Sequence, residues 1–318
     1  MSDSPTQRDD ATSVVFDTDM ATDCDDAGAL AVLYALERRG EARVKATVVN
    51  NCGNASTGVV SAINTFYQRP DVPIGAYQGE EVGTEPAAFF RDIARDTNAY
   101  GHTVTSRDEV PTAVAVYRQV LAEAQSEEIV IVSAGHLNNL YDLLESEPDQ
   151  HSQLSGSELV SQKVERLVVM GGGYPSGREH NFSARGSAPF TEAVLEKWPT
   201  SILFVGYELG DGVSTGPALR GLSEHHPVRR AYAGHPSEPL VNGRQSWDQI
   251  AVLAAVRDPE LYWNLSPPGQ VVVEPDGSNS WQADPEGTHV YLTERQSPSP
   301  SEVAEVIEAL MVDMSSLR

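Results

Sequence analysis

The stretch SVVFDTDMATDCDDAGALAVL, residues 13–33, places five aspartates within ten positions, between a short apolar run and an amphipathic one. Residues 14–16 have the apolar character of a buried strand, whereas residues 27–36 repeat their apolar positions at helical spacing. The aspartates are therefore predicted to lie on a strand-to-helix loop. In an open α/β sheet, ligands bind beyond the carboxyl ends of the strands, so this loop is a predicted binding site.

The negative charges of the aspartates in this loop require compensation. Carboxylates so close together disfavour one another's ionised forms unless they share a cation. Asp25 and Asp26 are predicted at the helix start, where the positive end of the helix dipole favours acids, but this accounts for only part of the cluster. Hard oxygen ligands suit calcium or magnesium. The sequence therefore predicts a divalent-cation site.

Composition narrows the class of protein. The chain has 318 residues and a formal net charge of −24, which argues against binding nucleic acid or an anionic membrane through bulk charge. Few lysines accompany the many acids, a balance that fits either salt adaptation or an ordinary acidic cytosolic protein. No apolar run approaches the roughly 18 residues of a transmembrane helix. Residues 1–12 lack a signal-peptide pattern, and Cys24 and Cys52 are expected to be reduced thiols, so the expected location is cytoplasmic.

Strand-like and helix-like segments alternate along the chain. This predicts βαβ units and an α/β fold with an open, mostly parallel sheet flanked by helices and an active site at the carboxyl ends of the strands. Residues 1–12 are predicted to be a disordered polar N-terminus, and residues 13–318 one domain with a small β-rich and helical C-terminal embellishment. The polar stretches 78–111 and 148–161 are predicted loops, the first a lid or disordered segment. The other predicted strands are 44–49, 73–76, 129–133, 164–170, 202–206, 270–273 and 288–292, and the other predicted helices are 56–68, 112–124, 137–144, 190–198, 247–256 and 301–311.

The first motif carries a resemblance to a known family. DTD at 17–19 followed by DDA at 25–27 resembles the N-terminal signature of the inosine-uridine preferring nucleoside hydrolase family. Ala21 stands where glycine is usual in that signature, and the longer loop adds Asp23 as an extra acid. In that family a calcium ion and a ring of acids and amides hold a ribose. The resemblance implies a nucleoside-hydrolase-like fold and calcium-dependent hydrolysis of the N-glycosidic bond of a ribonucleoside, giving ribose and free base.

Later segments resemble the same family in the same order. The resemblance implies that Asn50 or Asn51 contacts the ribose 2′-hydroxyl, and that Glu179 and Asn181 contact the 5′ and 3′ hydroxyls. Partners implied in the same way are a small-molecule ribonucleoside and further copies of the chain in a dimer or tetramer, with no nucleic acid and no membrane. The segments that carry the resemblance are VVNN at 48–51, IVIVSAGHLNNL at 129–140, MGGG at 170–173, EHN at 179–181 and QSWD at 245–248.

The resemblance also implies how the cation is held. Asp19 becomes both a calcium ligand and the catalytic base that takes a proton from water. Asp26, Asp248 and the backbone carbonyl of Asn138 become the other calcium ligands, and Asp25 a ribose contact.

Trp247 is the most informative departure from the family pattern, because it stands where a base-protonating histidine is usual. The indole nitrogen only donates and does not titrate near neutral pH, so Trp247 cannot be the general acid. Two interpretations of Trp247 remain open: it stacks on the leaving base, or it packs in the core. Tyr174 and His180 are also candidates for stacking on the base. His136 replaces a usual proline and is either a cap residue or part of the site.

Two other functions remain open from the sequence. Asp17-x-Asp19 after a strand is also the nucleophile signature of haloacid-dehalogenase-like phosphohydrolases, although Ala21 departs from it and the required lysine would be Lys163 or Lys197. A non-catalytic riboside-binding protein on the same scaffold is the third hypothesis, supported by the missing histidine.

Overall fold

The computed structural model describes residues 11–315. Residues 1–12 were predicted to be a disordered N-terminus. Of these, residues 1–10 lie outside the described residues, and Thr12 is the first residue of the first strand. Within the described range, eleven strands form one sheet and two short strands form a separate pair.

The strands and helices alternate as the sequence pattern predicts. The strands are β1 (Thr12–Thr18), β2 (Ala42–Val49), β3 (Ile74–Ala76), β4 (Ile129–Ala134), β5 (Val164–Met170), β6 (Ser176–Arg178), β7 (Ser201–Val205), β8 (Ser214–Thr215), β9 (Arg244–Gln245), β10 (Asn264–Leu265), β11 (Gly269–Val273), β12 (Ser278–Ala283) and β13 (His289–Thr293). The α-helices are α1 (Asp25–Arg38), α2 (Ser56–Phe66), α3 (Ala88–Arg95), α4 (Thr97–Tyr100), α5 (Ala113–Glu123), α6 (Asn138–Leu144), α7 (Gly156–Lys163), α8 (His180–Ser183), α9 (Ala188–Lys197), α10 (Tyr207–Gly212), α11 (Pro227–Gly234), α12 (Pro239–Asn242), α13 (Trp247–Val256) and α14 (Pro300–Met311). Three 3₁₀ turns cover Arg107–Glu109, Pro217–Gly221 and Pro259–Leu261.

The sheet is mostly parallel, which confirms the predicted fold class. Its order is β3-β2-β1-β4-β5-β7-β13-β11-β12-β6, with β10 paired to β13. Neighbouring strands from β3 to β13 are parallel, whereas β11, β12, β6 and β10 are antiparallel to their partners. Strands β11 and β13, predicted in the C-terminal part of the chain, continue the main sheet, since β13 pairs directly with β7.

Strand β1 occupies the point where the strand order reverses. It pairs with β2 on one side and β4 on the other, both in parallel. A crevice opens at such a switch point beyond the carboxyl ends of the strands. The aspartate-rich loop follows β1 directly, so the topology alone places it in this crevice.

The core lies on both faces of the sheet. Side chains alternate along β1, so that Val14 and Phe16 join one apolar cluster with α1 and α13, and Val15 joins the other with α5 and α6. Helix α1 is buried along almost its whole length because it packs between the sheet and the neighbouring helices α13 and α14. Burial on all sides fixes the position of its first turn, where two of the aspartates lie.

Two loop predictions were wrong in part. Segment 78–111 contains α3 and α4, and Phe90 and Ile93 of α3 are buried in the core against α2. Segment 148–161 contains the start of α7, where Ser155 and Glu158 form a capping box. Both segments are rich in polar residues, but a few apolar side chains or one capping pair are enough to order them. None of the helices in the described part of the chain is long and apolar enough to cross a membrane.

Candidate active site

Three buried aspartates meet at the N-terminal ends of α1 and α13. Asp25 and Asp26 occupy the first turn of α1, and Asp248 is the second residue of α13. One carboxylate oxygen of each lies within 4.8 Å of the other two. Burial, followed by repulsion between the acids, raises the pKa of all three well above its usual range. The positive ends of both helix dipoles point at this cluster and offset part of that cost.

Close packing of α1 against its neighbours brings the two helix ends together. A Cβ at Gly28 would lie 2.5 Å from the Tyr232 hydroxyl and 2.6 Å from Gln249 Nε2, so only glycine fits there. Gln249 belongs to α13 and donates to the Tyr232 hydroxyl at 2.7 Å. The backbone N–H of Asp248 donates to Asp25 Oδ2 at 3.4 Å, which links the two helix ends directly.

Asp19 lies at the edge of the cluster, on the loop after β1. Its backbone N–H donates to the carbonyl of Ala134 at 3.2 Å, which ties the loop to the end of β4. Its Oδ1 accepts from the backbone N–H of Ala21 at 3.2 Å. Burial and the charge of Asp25 raise the pKa of Asp19 to about 7. Asp19 is therefore a half-buried acid at the cavity, with the basicity of a proton acceptor near neutral pH.

Asp17 lies behind the cluster, inside the sheet. Its carboxylate accepts hydrogen bonds from Tyr117 Oη at 2.8 Å, Asn50 Nδ2 at 2.9 Å and Asn139 Nδ2 at 3.1 Å. Burial raises its pKa to about 7, against the opposing effect of these three donors. Asp17 thus ties the end of β2 to helices α5 and α6 and does not line the cavity.

The acids line a cavity of about 420 Å³. Glu179 and Asn181, which follow β6, form part of a second wall of the same cavity. Glu179 accepts backbone hydrogen bonds from Asn181, Gly172 and Phe182, and burial raises its pKa to about 7. The lining residues are Asp19, Thr22, Asp23, Asp25, Asp26, Ala134, Met170, Arg178, Glu179, His180, Asn181, Tyr207, Arg244, Trp247 and Asp248.

Three predicted asparagines are buried beside the cavity and do not line it. Asn50 donates to Asp17, and its Oδ1 accepts from the His136 backbone N–H at 3.1 Å. Asn51 accepts from the Thr84 N–H at 2.7 Å. Asn138 Nδ2 donates to the Asn50 carbonyl at 3.0 Å, and its buried Oδ1 has no hydrogen-bond partner among the described residues. All three amides hold the loops that surround the cavity.

Trp247 lines the cavity, with a fixed orientation. Its Nε1 donates to the Tyr207 carbonyl at 2.8 Å, and a methyl group at Gly210 would collide with its indole. The Arg244 guanidinium lies over the indole, with Cζ 4.9 Å from a ring centroid. Tyr174, the other aromatic residue considered for stacking on a base, stacks on Tyr291 and is not a lining residue.

Sequence reasoning missed Arg244 and gave no role to Asp23. Arg244 donates from Nε to both carboxylate oxygens of Asp23. Burial raises the pKa of Asp23, but the hydrogen bonds and the charge of Arg244, together with the Cys24 N–H and His235, lower it below its usual value. The only sequence signal was an unassigned acid in the lengthened loop and an arginine three positions before Trp247. Their pairing depends on the fold, so neither position alone could predict it.

The phosphohydrolase hypothesis finds no support in the positions of the lysines. Lys163 donates to the Ala124 carbonyl, and Lys197 pairs with Glu145. Neither lysine lines the cavity that contains Asp19.

Comparison with known families supports the nucleoside hydrolase resemblance over the phosphohydrolase hypothesis. Residues 14–309 match the family described as inosine-uridine preferring nucleoside hydrolase. The chain belongs to this family. Its members are metal-dependent hydrolases that bind small-molecule nucleosides, and the aspartate cluster is a candidate metal site. No curated protein sequence matches the chain.

Solved structures share the nucleoside hydrolase fold at low sequence identity. The plant nucleoside hydrolase PpNRh1 is 20% identical, with a TM-score of 0.66, over 95% of this chain and 99% of that chain. The inosine-uridine preferring nucleoside hydrolase from Bacillus anthracis is 15% identical, with a TM-score of 0.69, over 94% and 99%. The type III effector protein XopQ, solved in complex with adenosine diphosphate ribose, is 16% identical, with a TM-score of 0.68, over 96% and 94%. These similarities show the fold and include an effector protein as well as enzymes.

Proposed function

We propose that this protein hydrolyses the N-glycosidic bond of a ribonucleoside to ribose and free base, with calcium as its cofactor. The observation that carries the proposal is the meeting of Asp25, Asp26 and Asp248 in the wall of one cavity, within a family of nucleoside hydrolases. The cavity volume of about 420 Å³ lies within the range of roughly 300–1,000 Å³ that is usual for small-molecule sites.

The donor set suits a hard divalent cation. We propose Asp19, Asp26, Asp248 and the backbone carbonyl of Asn138 as its ligands. Buried carboxylates with raised pKa values are costly unless they share a cation, and oxygen-only donors favour calcium over transition metals. When bound, calcium would orient the attacking water and the ribose hydroxyls, but it acidifies water far less than zinc does. A carboxylate must therefore take the proton.

Asp19 is the proposed catalytic base. It lines the cavity next to the aspartate cluster, and in the cation-free protein burial raises its pKa to about 7, which favours proton acceptance near neutral pH. The transition state of glycoside hydrolysis resembles an oxocarbenium ion, so water delivered to the anomeric carbon needs only a nearby proton acceptor. Asp17 holds the strand ends behind Asp19 through its three donors.

The second wall is the proposed binding surface for the sugar. We propose that Asp25, Glu179 and Asn181 contact ribose hydroxyls, since all three line the cavity. A contact from Asn50 or Asn51 to the 2′-hydroxyl would require that amide to exchange one of its present hydrogen bonds. Glu179 is held in place by three backbone N–H groups, which makes it a rigid acceptor for a hydroxyl.

The leaving base would face Trp247 and Arg244. Trp247 offers an aromatic surface but no titratable proton, whereas Arg244 is a permanent cation in the same wall. This wall can stabilise a departing base by stacking and by charge, and it does not depend on a histidine acid.

Release of free base from a panel of purine and pyrimidine ribonucleosides tests the proposal. The purified protein should cleave at least one of them in calcium, and a chelator should abolish the cleavage. Tight binding of intact nucleoside or adenosine diphosphate ribose, with no cleavage, would instead favour the riboside-binding hypothesis. We also propose a homodimer or homotetramer, from family resemblance alone, which light scattering would test.

A further inference from the structure

Two histidine rings lie beside Asp19, outside the aspartate cluster described above. His136 follows β4 and is 2% exposed, and His180 is the first residue of α8 and lines the cavity. One ring nitrogen of each and one carboxylate oxygen of Asp19 lie within 4.8 Å of one another. The two ring centroids are 6.0 Å apart.

The surroundings of His136 leave one of its nitrogens free. Nδ1 lies 2.8 Å from Ser187 Oγ and 3.3 Å from the carbonyl of Asn181. A carbonyl only accepts and a hydroxyl oxygen can accept, so a proton on Nδ1 satisfies both contacts and leaves the lone pair on Nε2. No described residue forms a hydrogen bond with Nε2. Histidines that bind metals are usually held in this way, through a hydrogen bond from the other ring nitrogen to a backbone carbonyl.

His180 provides a second free imidazole. Its ring forms no hydrogen bond with any described residue, and its side chain is exposed at the cavity, so it can rotate to improve ligand geometry. The set therefore consists of two imidazoles and one carboxylate. This donor chemistry suits zinc, cobalt, nickel or copper, whereas calcium prefers oxygen ligands.

We propose that Asp19, His136 and His180 form a second cation site, selective for transition-metal ions, and that its occupancy inhibits the enzyme. Cation binding itself does not depend on the proposed function. Inhibition does rest on it, because occupancy would engage the proposed base, Asp19, and fill the end of the cavity bounded by His180. The same cavity thus contains an oxygen-only site and a mixed nitrogen and oxygen site that share one residue.

Cobalt titration of tag-free protein, saturated with calcium, tests the site directly. Bound cobalt should produce visible d–d absorption bands that zinc displaces. His180→Ala should weaken cobalt binding by at least about tenfold. Because His180 is exposed, this variant should fold, and His225→Ala, at an exposed histidine outside the cavity, should bind cobalt like the wild type. Absence of the bands, or equal binding by His180→Ala and the wild type, would overturn the proposal.

Two further measurements separate a metal site from a merely structural histidine pair. Ser187→Ala removes a contact of His136 Nδ1 without removing a ligand, and it should weaken cobalt binding by about 10- to 100-fold. Zinc should inhibit ribonucleoside cleavage by the wild type and much less by His180→Ala. If the protein cleaves no ribonucleoside, the proposed function fails, and the cobalt spectra still decide whether the cation site exists.

Discussion

Arg244 Nε donates to both carboxylate oxygens of Asp23, at 2.9 and 3.1 Å, and so joins two residues that are 221 positions apart. His235 lies 3.6 Å from the same carboxylate. The Arg244 guanidinium also covers the Trp247 indole. Asp23, the extra acid of the lengthened loop, therefore holds the Arg244 guanidinium in the cavity wall. The guanidinium lies beside Trp247, which stands where a histidine is usual.

Breaking this pair should impair catalysis more than stability. Asp23→Asn releases the Arg244 guanidinium, and small displacements of a cavity wall can reduce kcat/KM by about 10- to 100-fold. The free energy of unfolding should change by about 1 kcal/mol or less, because the pair is partly exposed to solvent. Steady-state kinetics and chemical denaturation measure both effects. Asp71→Asn breaks an aspartate–arginine pair on the surface and should leave kcat/KM unchanged; an equal loss in both variants would contradict the prediction.

Removal of the proposed base should abolish turnover and preserve the fold. We expect Asp19→Asn to lower kcat by about 10²- to 10⁴-fold, the usual contribution of a positioned proton acceptor. Circular dichroism should match the wild type, because the backbone contact of Asp19 with Ala134 is retained. Asp92→Asn, at an exposed position on α3, serves as the control. Wild-type turnover by Asp19→Asn would rule out this residue as the base.

Calcium should stabilise the wild type through Asp248. Thermal denaturation in calcium should show a higher Tm than in chelator, since a ligand at about 100 times its Kd contributes about 2.7 kcal/mol. Asp248→Asn should lose most of this shift. In chelator, however, this variant should be more stable than the wild type, because it lacks one of three mutually repelling buried acids. A full calcium shift in Asp248→Asn would exclude Asp248 as a ligand.

The stability of the calcium-free protein should fall as the pH rises. Burial raises the pKa of Asp17 and Asp19 to about 7, whereas in the unfolded chain both titrate near 3.8. The folded state therefore binds more protons than the unfolded state between these values, and it loses stability across this window as the pH rises. Hydrogen bonding to Arg118 lowers the pKa of Asp149 to about 2, so above about pH 5 this acid is ionised in both states and contributes no slope.

Denaturant unfolding in chelator, from about pH 5 to about pH 8, would measure this slope. Calcium should flatten the profile, since it compensates the carboxylates as they ionise. Burial lowers the pKa of His136, His226 and His289 to about 4, so these residues give an opposing slope below about pH 6.5. A calcium-free stability that rises between about pH 6.5 and about pH 8 would therefore contradict the prediction.

The wall around Trp247 should control the choice of base without affecting calcium. Gly210→Ala places a methyl group against the indole and should displace it, which changes KM or base preference while the calcium-dependent Tm shift remains. Trp247→His adds a titratable group, so the pH–rate profile should gain a limb near a pKa of about 6.5. Gly221→Ala is the matched control, because a Cβ there meets no atom within 4 Å. Unchanged kinetics in Gly210→Ala would contradict the proposal that the leaving base binds against this wall.

The sequence predicted the parts of the fold and site that depend on local patterns. Helix α13 begins and ends where the apolar period does, and β5 matches its predicted bounds, with an apolar run over residues 167–170 that ends at the glycine turn. Asp25 and Asp26 were likewise predictable at a helix start. Helix α3 was missed because only two of its large apolar side chains, Phe90 and Ile93, enter the core within a polar segment.

Features that depend on distant residues could not be predicted. The partner of Asp23 is 221 positions away, and nothing near either residue indicates the pairing. His136 was noted as a departure, but its proximity to His180 follows from the packing of α8 beyond the end of β4. The amide of Asn50 was expected at the sugar, yet in the fold both ends of that amide have partners in Asp17 and His136.

Gly28 lies one helical turn away from the aspartate cluster and contacts none of its carboxylates, yet it determines how close α1 comes to Tyr232 and Gln249. The distance between Asp248 and the two acids of α1 therefore depends on the size of residue 28, which faces Tyr232 and Gln249. A change of residue 28 or 249 would alter the radius of the ion that the cluster accommodates while every ligand stays the same. At the proposed cation site, ion-size selectivity would thus depend on helix packing, and evolution or design could adjust it from the hydrophobic core.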